Sequence, residues 1–290
     1  MAIELVHFSD CGPYRKGNQD AYCARIAQTP VGTIAMVAVC DGMGGLKHGE
    51  VASAAVVTAF GDWFDQTLPG MIWGGLNAGA VSNSWNAVLQ QQHEKIRSFG
   101  QRNGIRIGTT ASVMLLTGAQ YYILQVGDSR VYVDDAAQTR QLTVDQTLAM
   151  RELMAGRLSK EDFATDNRRN VLLQCVGDRT VAPVFQMGNT PRQGGCMLCS
   201  DGFCHYLQPE MVHEIMNGGQ GRAALQRGML GLGNMARSLA EQDNMTCVAL
   251  RWADFDSVPA ATVALMPELE DRASLDMLAK VTYVNSEHVL

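Results

Sequence analysis

The sequence predicts an α+β fold in which antiparallel sheets are covered by helices. Two observations point there. Short, apolar, β-branched runs come in consecutive pairs, and neighbouring strands that pair directly run antiparallel. Helix-length stretches stand between these groups, where they can cover a sheet face. A chain of 290 residues that is 47% hydrophobic has ample material for the core this needs.

The elements follow in order. TIAMVAVC (33–40) is short, apolar and β-branched, so it reads as a buried strand ending at Asp41. Glu50 to Phe64, rich in Ala and Val, reads as a helix, and Asn77 to Gly100 as a second. ASVMLL (111–116), YYILQV (121–126) and RVYV (130–133) read as strands. VGDSR between the last two predicts a hairpin turn. Asp145 to Val176 carries two short amphipathic patterns in a polar setting. CMLC (196–199) is a strand that ends at Asp201. Pro209 suits the first turn of a helix, QPEMVHEIMN. Gly221 to Gln242 is a helix weakened by internal glycines, and TCVALRW (246–252) is a last strand directly after Asp243. Residues 253–290 change composition and offer no clear strand partner, so they read as an appendage to a catalytic unit spanning 1–252.

Bulk properties exclude several classes. Net charge is -6, without a Lys/Arg cluster of the kind nucleic acid attracts. No apolar run approaches the roughly 18 residues of a membrane span. MAIELVHFSD lacks the basic-then-apolar pattern of a leader, so a cytoplasmic location is expected. The eight cysteines sit mostly in apolar stretches and read as free buried thiols. Cys196 and Cys199 have zinc-type spacing, but no second pair completes a site. In a strand, positions three apart also face opposite ways.

Asp41, Asp128, Asp201 and Asp243 each stand where a strand begins or ends. One such aspartate is ordinarily a turn former, accepting hydrogen bonds from backbone two residues on. Four suggest convergence on one rim, where carboxylates repel one another and resist ionising. A divalent cation removes that penalty, and all-oxygen ligands favour Mg2+ or Mn2+. The glycines after Asp41 let backbone approach such an ion, so the Gly42 carbonyl is itself a candidate ligand. Other readings of VCDGMGG fail. The dinucleotide pattern G-x-G-x-x-G breaks at Lys47, and no GK is followed by Ser or Thr. C-x5-R and G-x-S-x-G are also absent.

RKGNQD (15–20), VCDGMGG (39–45), GTTA (108–111), VGDSR (126–130), LTVDQT (142–147), CSDGF (199–203) and QDNMTCV (242–248) occur in one order. Together they resemble the metal-dependent protein phosphatases of type 2C, in their bacterial form, from about Ser9 to Trp252. The resemblance implies a four-layer α-β-β-α sandwich of two antiparallel sheets flanked by helices. It implies a phosphoserine/phosphothreonine protein phosphatase acting through metal-activated water, without a covalent enzyme intermediate and commonly opposing a Ser/Thr kinase. Gln146 to Gly177 resembles the family's mobile flap.

Carried over residue by residue, Asp41 bridges two Mn2+ or Mg2+ ions, and Gly42 completes the second. Asp201 and Asp243 hold the first, and Asp128 with Asp201 holds a third, weaker ion. Arg15 grips phosphate oxygens, Asp20 acts through metal-bound water, and Asn244 orients Asp243. Gln19 stands where members often carry Glu, which weakens a contact to water. Met43 stands where animal members carry a histidine acid. His48 and His205 are acids by residue type only, and structural roles suit them better. A phosphatase-shaped binding or scaffold module is the alternative reading. Lost metal ligands would be its sign, and none is lost.

Overall fold

The computed structural model describes residues 3–29, 31–43, 48–239, 241–253 and 284–285. In chain order the strands and helices are β1 (Glu4–Asp10), β2 (Asp20–Thr29), β3 (Gly32–Met43), α1 (Gly49–Gln66), α2 (Leu68–Trp73), α3 (Ala78–Asn103), β4 (Gly108–Thr109), β5 (Ala111–Leu116), β6 (Gln120–Val126), β7 (Arg130–Asp134) and β8 (Thr139–Gln141). Then follow α4 (Leu148–Met154), α5 (Lys160–Phe163), β9 (Val184–Asn189), β10 (Gly194–Cys199), α6 (Asp201–Cys204), α7 (Pro209–Asn217), α8 (Arg222–Ser238), β11 (Met245–Trp252) and β12 (Val284–Asn285).

One antiparallel sheet has the order β1-β11-β10-β7-β8, and the other β12-β2-β3-β5-β6-β9, with β4 paired to the end of β3. The alternation of side chains along a strand explains the layering. On β3, Ile34, Met36, Ala38 and Cys40 face the helical side, where Val56 and Phe60 of α1 and Trp85 and Leu89 of α3 meet them. Ala35, Val37 and Val39 face the other sheet and meet Val131, Leu198 and Val248. The second sheet's outer face packs on α6, α7 and α8 through Tyr132, Met197, Val212 and Met229. The result is the four-layer sandwich. Each such large apolar side chain contributes about 1.5–3 kcal/mol by leaving water.

Three expectations are corrected here. VGDSR is not a hairpin: β6 lies in one sheet and β7 in the other, so the turn carries the chain between sheets. Gly127 makes the turn at φ +97, and a Cβ there would stand 2.6 Å from the Thr110 side chain, so only glycine fits. The strand read as ending at Asp41 continues to Met43, because β4 gives its last residues a partner. The tail does have a strand partner, since Val284 and Asn285 pair with Ala24 and Cys23 on the edge of β2. The rest of the tail lies outside the described residues, as do Gly44–Lys47 of the opening glycine motif.

Candidate active site

The sandwich brings the ends of both sheets together at one rim. Asp20 on β2 stands opposite Asp41 on β3 in the antiparallel register. The Asp41 backbone is held from three directions. Its N–H donates to Thr110 Oγ1 at 2.8 Å, while its carbonyl accepts from Thr110 N at 2.8 Å and Thr109 Oγ1 at 2.9 Å. Thr110 Oγ1 also lies 2.8 Å from Ser129 Oγ, which ties Asp41 to the turn that carries Asp128. Gly42 is packed backbone to backbone. A Cβ there would stand 2.2 Å from the Gly49 carbonyl oxygen and 2.4 Å from that of Gln19.

The second sheet supplies the rest. Asp201 opens α6, one residue beyond Ser200. Ser200 Oγ donates to Asp20 Oδ2 at 2.7 Å and accepts from Thr246 N at 2.9 Å, so one hydroxyl links the two sheets beneath the rim. Asp243 accepts from Arg15 Nη2 at 2.8 Å and from Asn244 N at 2.8 Å. Asn244 meets Asp243 through its backbone N–H rather than its side chain. The side chain clamps the β1–β2 loop, donating to the Cys11 and Gly17 carbonyls at 3.0 and 3.1 Å and accepting from Gln19 N at 2.8 Å. The Gln19 carboxamide points toward Glu50 at 3.4 Å. His205 lies 2.9 Å from Glu241 and 3.7 Å from Asp201. His48, at φ 82, precedes α1 and meets the edge of Phe99.

Arg15, Gln19, Asp41, Gly42, Asp128, Asp201 and Asp243 line a single cleft. Asp20 lies beneath it, only 2% exposed. Burial, reinforced by Asp201 and Asp243, pushes the Asp20 carboxyl up to about 7 despite hydrogen bonds from Ser200 and Thr246. Asp41 is raised well above the usual carboxylate range by burial and then by Asp20, Asp201 and Asp128. Burial and then Asp201 and Asp145 raise Asp128. Asp201 is raised by burial and Asp243, with His205 working against the shift.

These carboxyls are short of donors. Asp20 Oδ1 and Asp201 Oδ1 are buried with no hydrogen-bond partner. A buried oxygen left so costs on the order of 1–3 kcal/mol, more when charged. Among the described residues no three His, Cys, Asp or Glu groups are arranged to hold one ion, in keeping with the turn of Asp243 toward Arg15. The donors lining the cleft are carboxylates beside a backbone carbonyl. That suits a hard divalent cation that keeps several waters. Cys196 and Cys199 face opposite sides of β10, one between the sheets and one toward the helices, so they do not converge.

Sequence reasoning missed the supporting shell: Thr109, Thr110, Ser129, Ser200, Thr246 and Glu241. Several lie within the quoted motifs, but hydroxyl residues beside a strand end look like ordinary turn formers.

Residues 15–217 match the Protein phosphatase 2C family. The chain is 28% identical over 222 residues to Protein phosphatase PhpP of Streptococcus pneumoniae, covering 74% of this chain and 84% of that protein. It is 32% identical over 192 residues to Serine/threonine phosphatase stp of Listeria monocytogenes, covering 62% of this chain and 71% of that one. The fold matches the solved catalytic domain of the serine threonine protein phosphatase PstP in complex with 2 manganese ions. There the TM-score is 0.69 at 24% identity, over 87% of this chain and 99% of that one. The chain belongs to the protein phosphatase 2C family.

Proposed function

We propose that the chain removes phosphate from phosphoserine and phosphothreonine on proteins, using Mn2+ or Mg2+ at the acidic rim. The observation that carries this is the pair of buried, donor-free carboxylate oxygens on Asp20 and Asp201, beneath a cleft that also presents Arg15. Asp41, Gly42, Asp201 and Asp243 would hold two ions, and Asp128 with Asp201 a third. The two manganese ions of the PstP structure support that count for the first two. When bound, the ions supply Lewis-acid charge and activate water for in-line attack on phosphorus.

The chain's own groups do the rest. Arg15, half-exposed at the cleft mouth, offers a guanidinium fork to phosphoryl oxygens. Ser200 fixes Asp20 behind the rim, where its free Oδ1 would accept a hydrogen bond from water. Met43 lines the cleft and has no proton to give. The catalytic unit would span 1–252 with 253–290 as an appendage. A Ser/Thr kinase would write the groups it removes. No helix among the described residues is long and apolar enough to cross a membrane. The eight free cysteines suit a reducing compartment such as the cytoplasm.

The test is a phosphopeptide panel assayed with Mn2+, with Mg2+ and with chelator. Hydrolysis should require a divalent ion and vanish with chelator. Full activity after exhaustive metal removal would overturn the reading.

A further inference from the structure

Beyond the acidic rim the same cleft runs on into a basic arm. The backbone ladder that carries the rim continues into it: Gly42 and Met43 pair with Thr109 and Gly108. Thr109 and Val176 then exchange both backbone hydrogen bonds, at 3.0 and 2.9 Å. Gly177 follows and packs on α3, where a Cβ would stand 2.4 Å from Ile96. Its N–H donates to His93 Nδ1 at 3.1 Å. The segment before β4 and the loop after Gly177 are thus fixed to the rim by main-chain pairing.

These segments carry Arg106 and Arg179, and α3 adds Arg97. All three are exposed, and all line the cleft that holds Asp41 and Gly42. The acidic residue lining this arm is Asp178, 3.7 Å from Arg106, while Arg97 stands 3.7 Å from Glu94. Exposed pairs at that separation are weak and exchange readily for a better-placed anion. The arm is therefore net positive on a chain whose net charge is -6. Compensation of the α3 C-terminus does not account for it. Arg102 occupies that last turn, whereas Arg106 and Arg179 lie outside the helix.

We infer that this arm binds a second acidic group on the substrate, so that the enzyme favours phosphoserine or phosphothreonine flanked by a carboxylate or another phosphate. The inference rests on the phosphatase reading above and names a feature of its substrate. A neighbouring anion held on the arm would lower KM and leave the chemical step alone, because it touches neither the rim nor the scissile phosphate.

The experiment compares one phosphopeptide with neutral, glutamate, second-phosphoserine or lysine flanks, stepped along both sides of the reacting residue, at low and high salt. The enzymes are the wild-type chain, the double variant Arg106→Ala/Arg179→Ala and the double variant Arg106→Glu/Arg179→Glu. In the wild type, kcat/KM for acid-flanked peptides should exceed that for the neutral one by about 2- to 30-fold, the sum of two exposed ion-pair contacts. The gain should appear in KM and shrink with salt. The alanine variant should bring the ratio toward one, and the glutamate variant should shift preference to the lysine-flanked peptide. The gain for phosphate should exceed that for glutamate, since phosphoserine carries about -1.5 to -2 against the single charge of the carboxylate. Equal kcat/KM for all flanks in the wild type, or a preference that survives both variants, overturns the inference while the phosphatase reading stands. If no peptide is hydrolysed with Mn2+ present, both fall.

Discussion

Two equally buried aspartates in this molecule are treated in opposite ways. Asp134, 1% exposed at the end of β7, has four donors. Its Oδ1 accepts from Ala136 N at 2.9 Å and Asn217 Nδ2 at 3.3 Å, and its Oδ2 from Thr139 Oγ1 at 2.7 Å and His213 Nδ1 at 2.6 Å. Asp20, 2% exposed, has one oxygen on Ser200 and the other on nothing, with further carboxyls nearby. Asp134 is saturated from within the chain, whereas Asp20 is left short and its neighbours share the same sign. Burial alone does not separate the two, but the count of donors does.

The largest break in that contrast should come from the rim. Asp41→Asn or Asp243→Asn should lower turnover by more than about 100-fold, the scale that loss of outer-shell partners of a metal already reaches. Both variants should fold, and the metal-free Asp41→Asn protein should melt no lower than wild type, since a like charge has been removed. Steady-state kinetics beside thermal melts in chelator check this. Near wild-type turnover in both variants would contradict the assignment.

The complementary break is at Asp134. Asp134→Ala strands His213, Thr139 and Asn217 together and should destabilise by about 2–4 kcal/mol, with kcat unchanged in the fraction that folds. Denaturant melts and kinetics on the same preparation separate the two quantities. Lost turnover at full stability would show that the saturated aspartate also serves the reaction.

Arg15 sharpens the comparison from outside the carboxylates. It contacts Asp243 at 2.8 Å but belongs to the exposed mouth of the cleft. A charge-assisted contact to phosphate contributes roughly 1.5–3 kcal/mol, so Arg15→Ala should lower kcat/KM by about 10- to 150-fold. Lysine there should recover only part. Calorimetric titration should find Mn2+ affinity not reduced, since Arg15 competes with an ion for Asp243. Normal kinetics, or outright loss of metal binding, would show the role to be wrong.

Much of this was legible in the sequence, for identifiable reasons. Long elements with strong periodicity, such as β3, α1, α3 and β11, stand out because burial on one or both faces imposes a pattern. β2 and β9 escaped. DAYCARIAQT places Arg25 and Gln28 within a strand, and the edge strand VFQMGN alternates poorly. The β6–β7 turn misled because a short connection usually means a hairpin, and nothing local shows that its two strands join different sheets. The rim aspartates were visible as charges at the ends of apolar runs. The hydroxyls that hold them were not, because Ser200 and Thr110 act across partners 46 and 69 residues away.

The smallest expected effect lies at His93, where a buried base replaces the buried acids. His93 accepts the Gly177 N–H through Nδ1 at 3.1 Å, which requires the neutral ring. Burial holds its pKa below the ordinary 6.5; Arg97 works in the same direction, while Glu94 and Asp178 oppose it. The sign follows from linkage. Above about pH 6.5 the ring is neutral in both states and folding loses nothing; below it, the unfolded chain takes up a proton that the folded chain resists, so stability falls with pH. The rim carboxyls, raised rather than lowered, push the other way in metal-free protein. Wild type should therefore be compared with His93→Gln, in which the rim is common to both and cancels. Between about pH 7.5 and about pH 5.5 the melting temperature of wild type should fall further than that of His93→Gln. Parallel curves would show that His93 takes up its proton as readily folded as unfolded, and that the Gly177 contact does not depend on the neutral ring.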